Sequence, residues 1–195
     1  MSTSDRASLS AVFNAKEKSC RFSVWAPLKD RMILRLPHRN QDIEMIKDAA
    51  GYFSITVENV DAGCNYQFLP DGNTAYPDPA SNYQPDGVHG HSQVVDHFNF
   101  SWTDQAWKGL PFTDLVMYEL HVGTFTPAGT FEAIIPRLKD LRELGINAIE
   151  LMPVNQFPGS RNWGYDGVFI YAVQNSYGGP EGLKKLVDAC HVNGI

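Results

Sequence analysis

The sequence predicts two unlike parts in one chain. An antiparallel, immunoglobulin-like β-sandwich is expected over residues 9–100, followed over residues 112–195 by the first two βα units of a (β/α)8 barrel. Three observations predict this multidomain β plus α/β arrangement. Short runs that alternate apolar and polar residues fill the first half. A Pro/Gly/Asp-rich stretch interrupts them near residue 75. From residue 115 near-continuous apolar runs alternate with helical stripes.

Residues 1–8 read as a loose tail. Then Phe22, Val24 and Ala26 alternate with Arg21, Ser23 and Trp25; Met32, Leu34 and Leu36 with Arg31, Ile33 and Arg35; Phe53, Ile55 and Val57 with Tyr52, Ser54 and Thr56. Tyr66 and Phe68 continue the pattern around Gln67. This period of two is that of half-buried strands. Ala26-Pro27, Asp61-Ala62-Gly63 and Asp71-Gly72-Asn73 supply the turns between them. Several short strands at this spacing suggest a sandwich. Residues 75–92 form a long loop in which prolines fix φ and discourage regular structure. Val94-Val95 is the expected closing strand. Trp102, Trp107 and Leu110-Pro111 read as an apolar linker packed between the two parts.

Leu115–Val122 is expected to be a strand, apolar enough for a buried parallel one. Thr130 is a good N-cap for a helix striped by Phe131, Ile134, Ile135, Leu138, Leu141 and Leu144, with Gly145 as its C′ residue and Pro136 as an internal kink. Residues 146–154 form the second strand, and a long loop runs to about 178. The next helix opens with Gly179-Pro180, carries Leu183, Leu186, Val187 and Cys190, and stops at Gly194. A third strand is expected where the sequence stops at Ile195. A complete barrel of this kind takes about 250 residues, so the chain reads as an incomplete barrel, truncated before the third strand and lacking catalytic carboxylates.

Composition narrows the function. The formal net charge is -6, so no counterion-release term favours nucleic acid as a partner. No apolar run approaches the ~20 residues of a membrane span, and the first dozen residues lack the apolar core of a signal peptide. Cys20, Cys64 and Cys190 are odd in number and far apart, which fits reduced thiols in a cytoplasmic protein.

In a barrel, working residues sit on the loops after the strands. Here those loops are Gly123–Gly129 and Asn155–Gly178. The second holds Phe157, Arg161, Asn162, Trp163, Tyr165, Asp166, Phe169, Tyr171 and Tyr177. Aromatic rings mixed with hydrogen-bonding side chains suit a sugar, whose C–H face stacks while its hydroxyls take directional partners. The same rings could instead pack the loop onto the barrel. Glu119 and Glu150 tempt as a hydrolytic pair, but both lie mid-strand and are expected to be structural, hydrogen-bonded within or below the barrel core. His89, His91, Asp96 and His97 lack a recognised ligand spacing, so no metal is expected.

Tyr118–Thr126 resembles the first barrel strand of the α-amylase superfamily of glycoside hydrolases, Ile149–Val154 its second, and Asn162–Val168 the loop that follows. Arg21–Pro27 is similar to the sandwich that precedes the barrel in branching, debranching and trehalose-releasing members. Pro77–Ser81 with Gln84–Gly90, and Gly123–Pro127 leading to Gly129-Thr130-Phe131, resemble the trehalose-releasing subgroup. Branching members usually carry another residue at the position of Asp166. The resemblance implies a retaining hydrolase acting on a malto-oligosaccharide or malto-oligosyltrehalose, with no metal or organic cofactor. Its catalytic carboxylates are implied to follow later strands, so no catalytic residue is assigned here. Only the ring-stacking tyrosine of the family is matched, at Tyr165; with Asn162, Trp163 and Asp166 it makes the expected substrate-binding set. A branching or debranching relative, or a stand-alone glucan-binding module, are the other expectations.

Overall fold

The computed structural model describes residues 9–195, so the tail expected at 1–8 lies outside the described residues. Strands β1 (Ser10–Asn14), β2 (Ser19–Trp25), β5 (Ile46–Lys47) and β6 (Tyr52–Glu58) form one antiparallel sheet in the order β1-β2-β6-β5. Strands β3 (Met32–Leu36), β4 (Gln41–Glu44), β7 (Asn65–Pro70) and β8 (Ser92–Gln93) form a second, in the order β4-β3-β7-β8. Period-two alternation is what joins them. Phe22, Val24 and Phe53 of the first sheet and Met32, Leu34, Tyr66 and Phe68 of the second enter one apolar cluster. The Phe22 and Tyr66 rings meet edge-on at 4.9 Å.

Three strands escape the sequence reading because they carry no apolar alternation of their own. β5 is two residues long, and β1 pairs along its whole length with β2. β4 is polar: its Asp42 and Glu44 pair with Arg35 and Arg31 at 2.7 and 2.9 Å. Charges of this kind protect an edge strand from further pairing. The closing strand also falls earlier than expected. Ser92-Gln93 pairs with Tyr66 and Asn65, and Val94 adds backbone bonds to Gly63 and Cys64, while Val95 lies beyond the strand.

Loop 75–92 is pinned through buried Asp78. Its carboxylate accepts from the Tyr66 hydroxyl at 2.7 Å and the Ala80 N–H at 2.8 Å. The Ser92 hydroxyl oxygen accepts from both the Asp78 N–H and the Gln84 amide. Burial lifts the Asp78 carboxyl above its ordinary range, partly opposed by these bonds.

The parallel part begins with β9 (Met117–Leu120), which pairs with β10 (Ala148–Leu151) so that Tyr118 meets Ile149 and Leu120 meets Leu151. β9 is shorter than the expected 115–122, and it is buried on one face only: Leu120 is buried while Met117 is 51% exposed. Among the described residues its only sheet neighbour is β10, and one face stays open. Val122, expected in the strand, starts a single helical turn, α1 (Val122–Phe125).

The first helix is broken by Pro136 as expected: α2 (Phe131–Ile134), a 3₁₀ turn at Ile135–Arg137, then α3 (Leu138–Glu143). The Thr130 hydroxyl oxygen caps it, accepting from Ala133 N–H at 3.3 Å, and Gly145 closes it at φ +96°. Phe131, Ile134, Leu138 and Leu141 are buried, but Leu144 is exposed because it lies past the last packed turn. The stretch 155–178 is not a loop throughout. β11 (Asn155–Gln156) pairs antiparallel with β12 (Phe169–Val173), so Phe169 and Tyr171 stand on a strand. α4 (Gly179–Val192) follows, with Pro180 in its first turn.

The linker fastens to α4. Thr103 donates its N–H and hydroxyl to the Asp188 carboxylate, each at 2.7 Å. His191 Nδ1 lies 2.6 Å from Asp104, and its ring stacks on Trp107 at 5.1 Å. The three cysteines are free, and burial pushes Cys20 up to about 12 and Cys64 and Cys190 to about 11.

Candidate functional site

Parallel pairing of β9 and β10 brings the segments after both strands to one end. There a cleft of about 540 Å³ is lined by His121, Gly123, Thr124, Ser160, Arg161, Asn162 and Trp163. A second cavity of about 290 Å³ lies between the linker, β10 and α4. Its lining is mostly apolar, which offers a polyhydroxylated ligand few partners.

His121 is the hub of the cleft, although the sequence reading placed it only in a strand motif and assigned it no role. Its Nε2 lies 2.7 Å from the Asn162 carbonyl oxygen and 3.0 Å from the Tyr177 hydroxyl, and its Nδ1 lies 2.9 Å from the Thr124 hydroxyl. The carbonyl can only accept, so Nε2 carries the proton and donates; in the neutral ring Nδ1 then accepts from Thr124. Gly123 makes the closeness possible, because a Cβ there would sit 3.0 Å from the His121 ring and 3.1 Å from the Tyr177 hydroxyl. Tyr177 is buried against Phe131 and Phe157, and burial raises its phenol above the ordinary value.

The Asn162–Asp166 turn carries the four residues expected to bind substrate. Asn162 accepts from Gly164 N–H at 2.8 Å and donates to Asp166 at 3.0 Å. Gly164 holds φ +95°, and a Cβ there would meet the Pro153 carbonyl oxygen at 2.0 Å, so only glycine fits. Trp163 lies against His121, ring centroids 5.6 Å apart, and remains 68% exposed. Tyr165 is 70% exposed on the same turn. Neither Tyr165 nor Asp166 lines the cleft itself; Asn162 and Trp163 do.

Other expected loop residues separate cleanly. Phe157, Phe169 and Tyr177 are buried and serve packing, while Tyr171 is exposed. Beneath the loop, Gln174 accepts from Phe157 N–H at 2.9 Å and donates to the Gly159 carbonyl at 2.9 Å. Gln156 accepts from Asn175 N–H at 2.9 Å. Glu119 and Glu150 lie side by side in register, but both are exposed and neither side chain makes a hydrogen bond among the described residues. The expected internal hydrogen bonds are therefore absent, since these side chains leave the sheet on the face opposite the helix-packed Tyr118, Leu120, Ile149 and Leu151. His91 stands 3.9 Å from Asp86 and His97 3.2 Å from Asn82.

A family model described as alpha amylase, catalytic domain, matches residues 75–195. The chain belongs to the alpha-amylase family. The malto-oligosyltrehalose trehalohydrolase of Saccharolobus solfataricus is 49% identical over 183 residues, covering 94% of this chain and 32% of that protein. The Arthrobacter ramosus protein of the same name is 43% identical, covering 90% of this chain and 31% of that protein. A 1,4-alpha-glucan branching enzyme, GlgB of Pseudoalteromonas atlantica, is 30% identical, covering 90% and 27%. A crystal structure of a Salmonella typhimurium protein named as an alpha amylase superposes with TM-score 0.92 at 42% identity, covering 96% of this chain and 32% of that one. The alpha-amylase-family chain thus spans about a third of the length of the curated relatives it matches.

Proposed function

We propose that the chain is part of a retaining glycoside hydrolase that cleaves the α-1,4-glucosidic bond beside the trehalose end of malto-oligosyltrehalose and releases trehalose. The observation that carries this reading is 49% identity along 94% of the chain to an enzyme of that name, against 30% to a branching enzyme. The two facing sheets are then the immunoglobulin-like sandwich, over about 9–100, and the β9–α4 segment, over about 112–195, supplies the first two units of a (β/α)8 barrel.

In this reading the exposed ring of Tyr165 stacks under the sugar ring being cleaved, and Trp163 offers a second face toward the cleft. Asn162 and Asp166 hold the turn and present hydrogen-bonding edges to hydroxyls. The cleaved ring flattens toward an oxocarbenium-like state, so a face held against it supports the transition state as well as binding. Glu119 and Glu150 stand mid-strand and are not assigned the acid and nucleophile roles; this chain by itself releases no trehalose. No cofactor is required by the chemistry. Three free thiols support a cytoplasmic, reducing setting, and the net charge of -6 disfavours nucleic acid. Among the described residues no helix is long and apolar enough to cross a membrane.

The test is Tyr165→Ala and Tyr165→Phe in the whole enzyme. The alanine variant is expected to lose kcat/KM by about 10²-fold or more, with much of the loss in kcat, whereas phenylalanine keeps the stacking face and loses less. Near-native kcat in a well-folded Tyr165→Ala enzyme overturns the assignment. Glucan branching is the second reading, favoured by the GlgB match. Product analysis separates them: free trehalose supports hydrolysis at the trehalose end, and new branch points in place of trehalose support the alternative.

A further inference from the structure

Between Ser160 and Gly167 the turn is held by its own bonds and by one hydrogen bond from elsewhere. Asn162 bonds only within the turn through its side chain. Among the described residues, His121 Nε2 to the Asn162 carbonyl is the single hydrogen bond that ties these eight positions to another element. The same imidazole packs on Trp163 at 5.6 Å. It is itself fixed from two sides, by Thr124 on Nδ1 and by buried Tyr177 at Nε2. A ring clamped at both nitrogens has one orientation, and it passes that orientation to the residue on either side of the Asn162–Trp163 peptide.

We infer that His121 is a positioning residue: it sets the angle of Trp163 and the register of the Asn162–Asp166 turn, and through them the affinity of the cleft for a linear α-1,4-glucan. This inference rests on the proposed reading of the cleft as a glucan site. The requirement is for a donor at the Nε2 position. Glutamine can place an amide N–H there, whereas alanine and phenylalanine cannot.

Two measurements on the chain test it. In the first, Trp163 emission and its quenching by acrylamide are isolated by subtracting a Trp163→Phe variant. His121→Ala is expected to shift the emission and raise quenching, and His121→Gln to return most of the native signal. In the second, maltoheptaose is titrated calorimetrically. His121→Ala is expected to weaken binding about five- to tenfold, as for one lost hydrogen bond, and His121→Gln to recover most of it. A purely structural role would lower the melting temperature of both variants and leave the folded fraction with native Trp163 emission and affinity. Native emission in His121→Ala, or no rescue by glutamine, overturns the inference. If the unmodified chain binds no maltoheptaose, the glucan reading of the cleft fails, while the emission arm still decides whether His121 positions Trp163.

Discussion

Strand β2 lies between β1 and β6, and of its seven residues only Trp25 is exposed. Strand β9 is at least as apolar in sequence, yet among the described residues it pairs with β10 alone and exposes Met117 and Glu119. Apolar content does not explain the difference; the number of neighbours does. A strand covered on both edges and one face commits its side chains to a core, whereas one covered on a single edge commits only alternate residues. In β9 those are Tyr118 and Leu120, which reach the helix-packed cluster. The first region is therefore stabilised by a closed layer, and the second by helices pressed on one side of an open pair.

The largest expected effect breaks or confirms this contrast directly. Phe22→Ala, in the shared cluster of the two sheets, is expected to cost about 3–5 kcal/mol. Met117→Ala, on the open face of β9, is expected to stay within about 0.5 kcal/mol. Urea denaturation followed by circular dichroism measures both, and equal losses would show that β9 is covered in solution. A middle effect sharpens the account of the second region. Removing the cap with Thr130→Ala is expected to lower stability by about 1 kcal/mol, detected as a drop in the melting transition of the helical signal.

The smallest expected effect is a slope with pH. Burial raises the Asp78 carboxyl above its unfolded value of 3.8. The proton is then held more tightly when folded, so this contribution to stability is complete below 3.8 and is lost as pH rises through the folded value. Asp42, Asp71 and Asp188 have carboxyls held below 3.8 by Arg35, Lys29 and Thr103, and their contributions disappear in the opposite direction, as pH falls below that point. The two windows do not overlap. Comparing urea midpoints of the native chain and Asp78→Asn across the range just above 3.8 should show the falling slope only in the native chain; identical slopes would remove Asp78 from the account.

Much of this architecture was legible in the residues. Thr130, Gly145 and Pro180 act locally, through a hydroxyl, a missing Cβ and a fixed φ, so their roles could be read one residue at a time. The strands with apolar alternation were readable for the same reason. β4 was not, because an edge strand is selected for charge, and only Ile43 of its four residues turns inward. β11 and β12 were hidden inside what read as a loop, since their pairing joins Asn155 to Val173 and has no tight turn between. In the candidate site the turn at Asn162–Asp166 was visible as a motif. The role of His121 was invisible, because it comes from a carbonyl 41 positions away.

Among the described residues, four hydrogen-bonded ties join the most distant stretches: Thr103 to Asp188, His191 to Asp104, Lys184 to the His97 carbonyl and Asn175 to the Pro85 carbonyl, spanning 85, 87, 87 and 90 residues. None can form before α4 or the turn that precedes it has been made. At a synthesis rate of ~5–20 residues per second, the partners of each tie leave the ribosome about 4–18 s apart. The two sheets draw only on residues 10–93, all of which leave the ribosome before α4. The linker spends those seconds without its partners, and Trp107 and Asp104 are received only when α4 arrives.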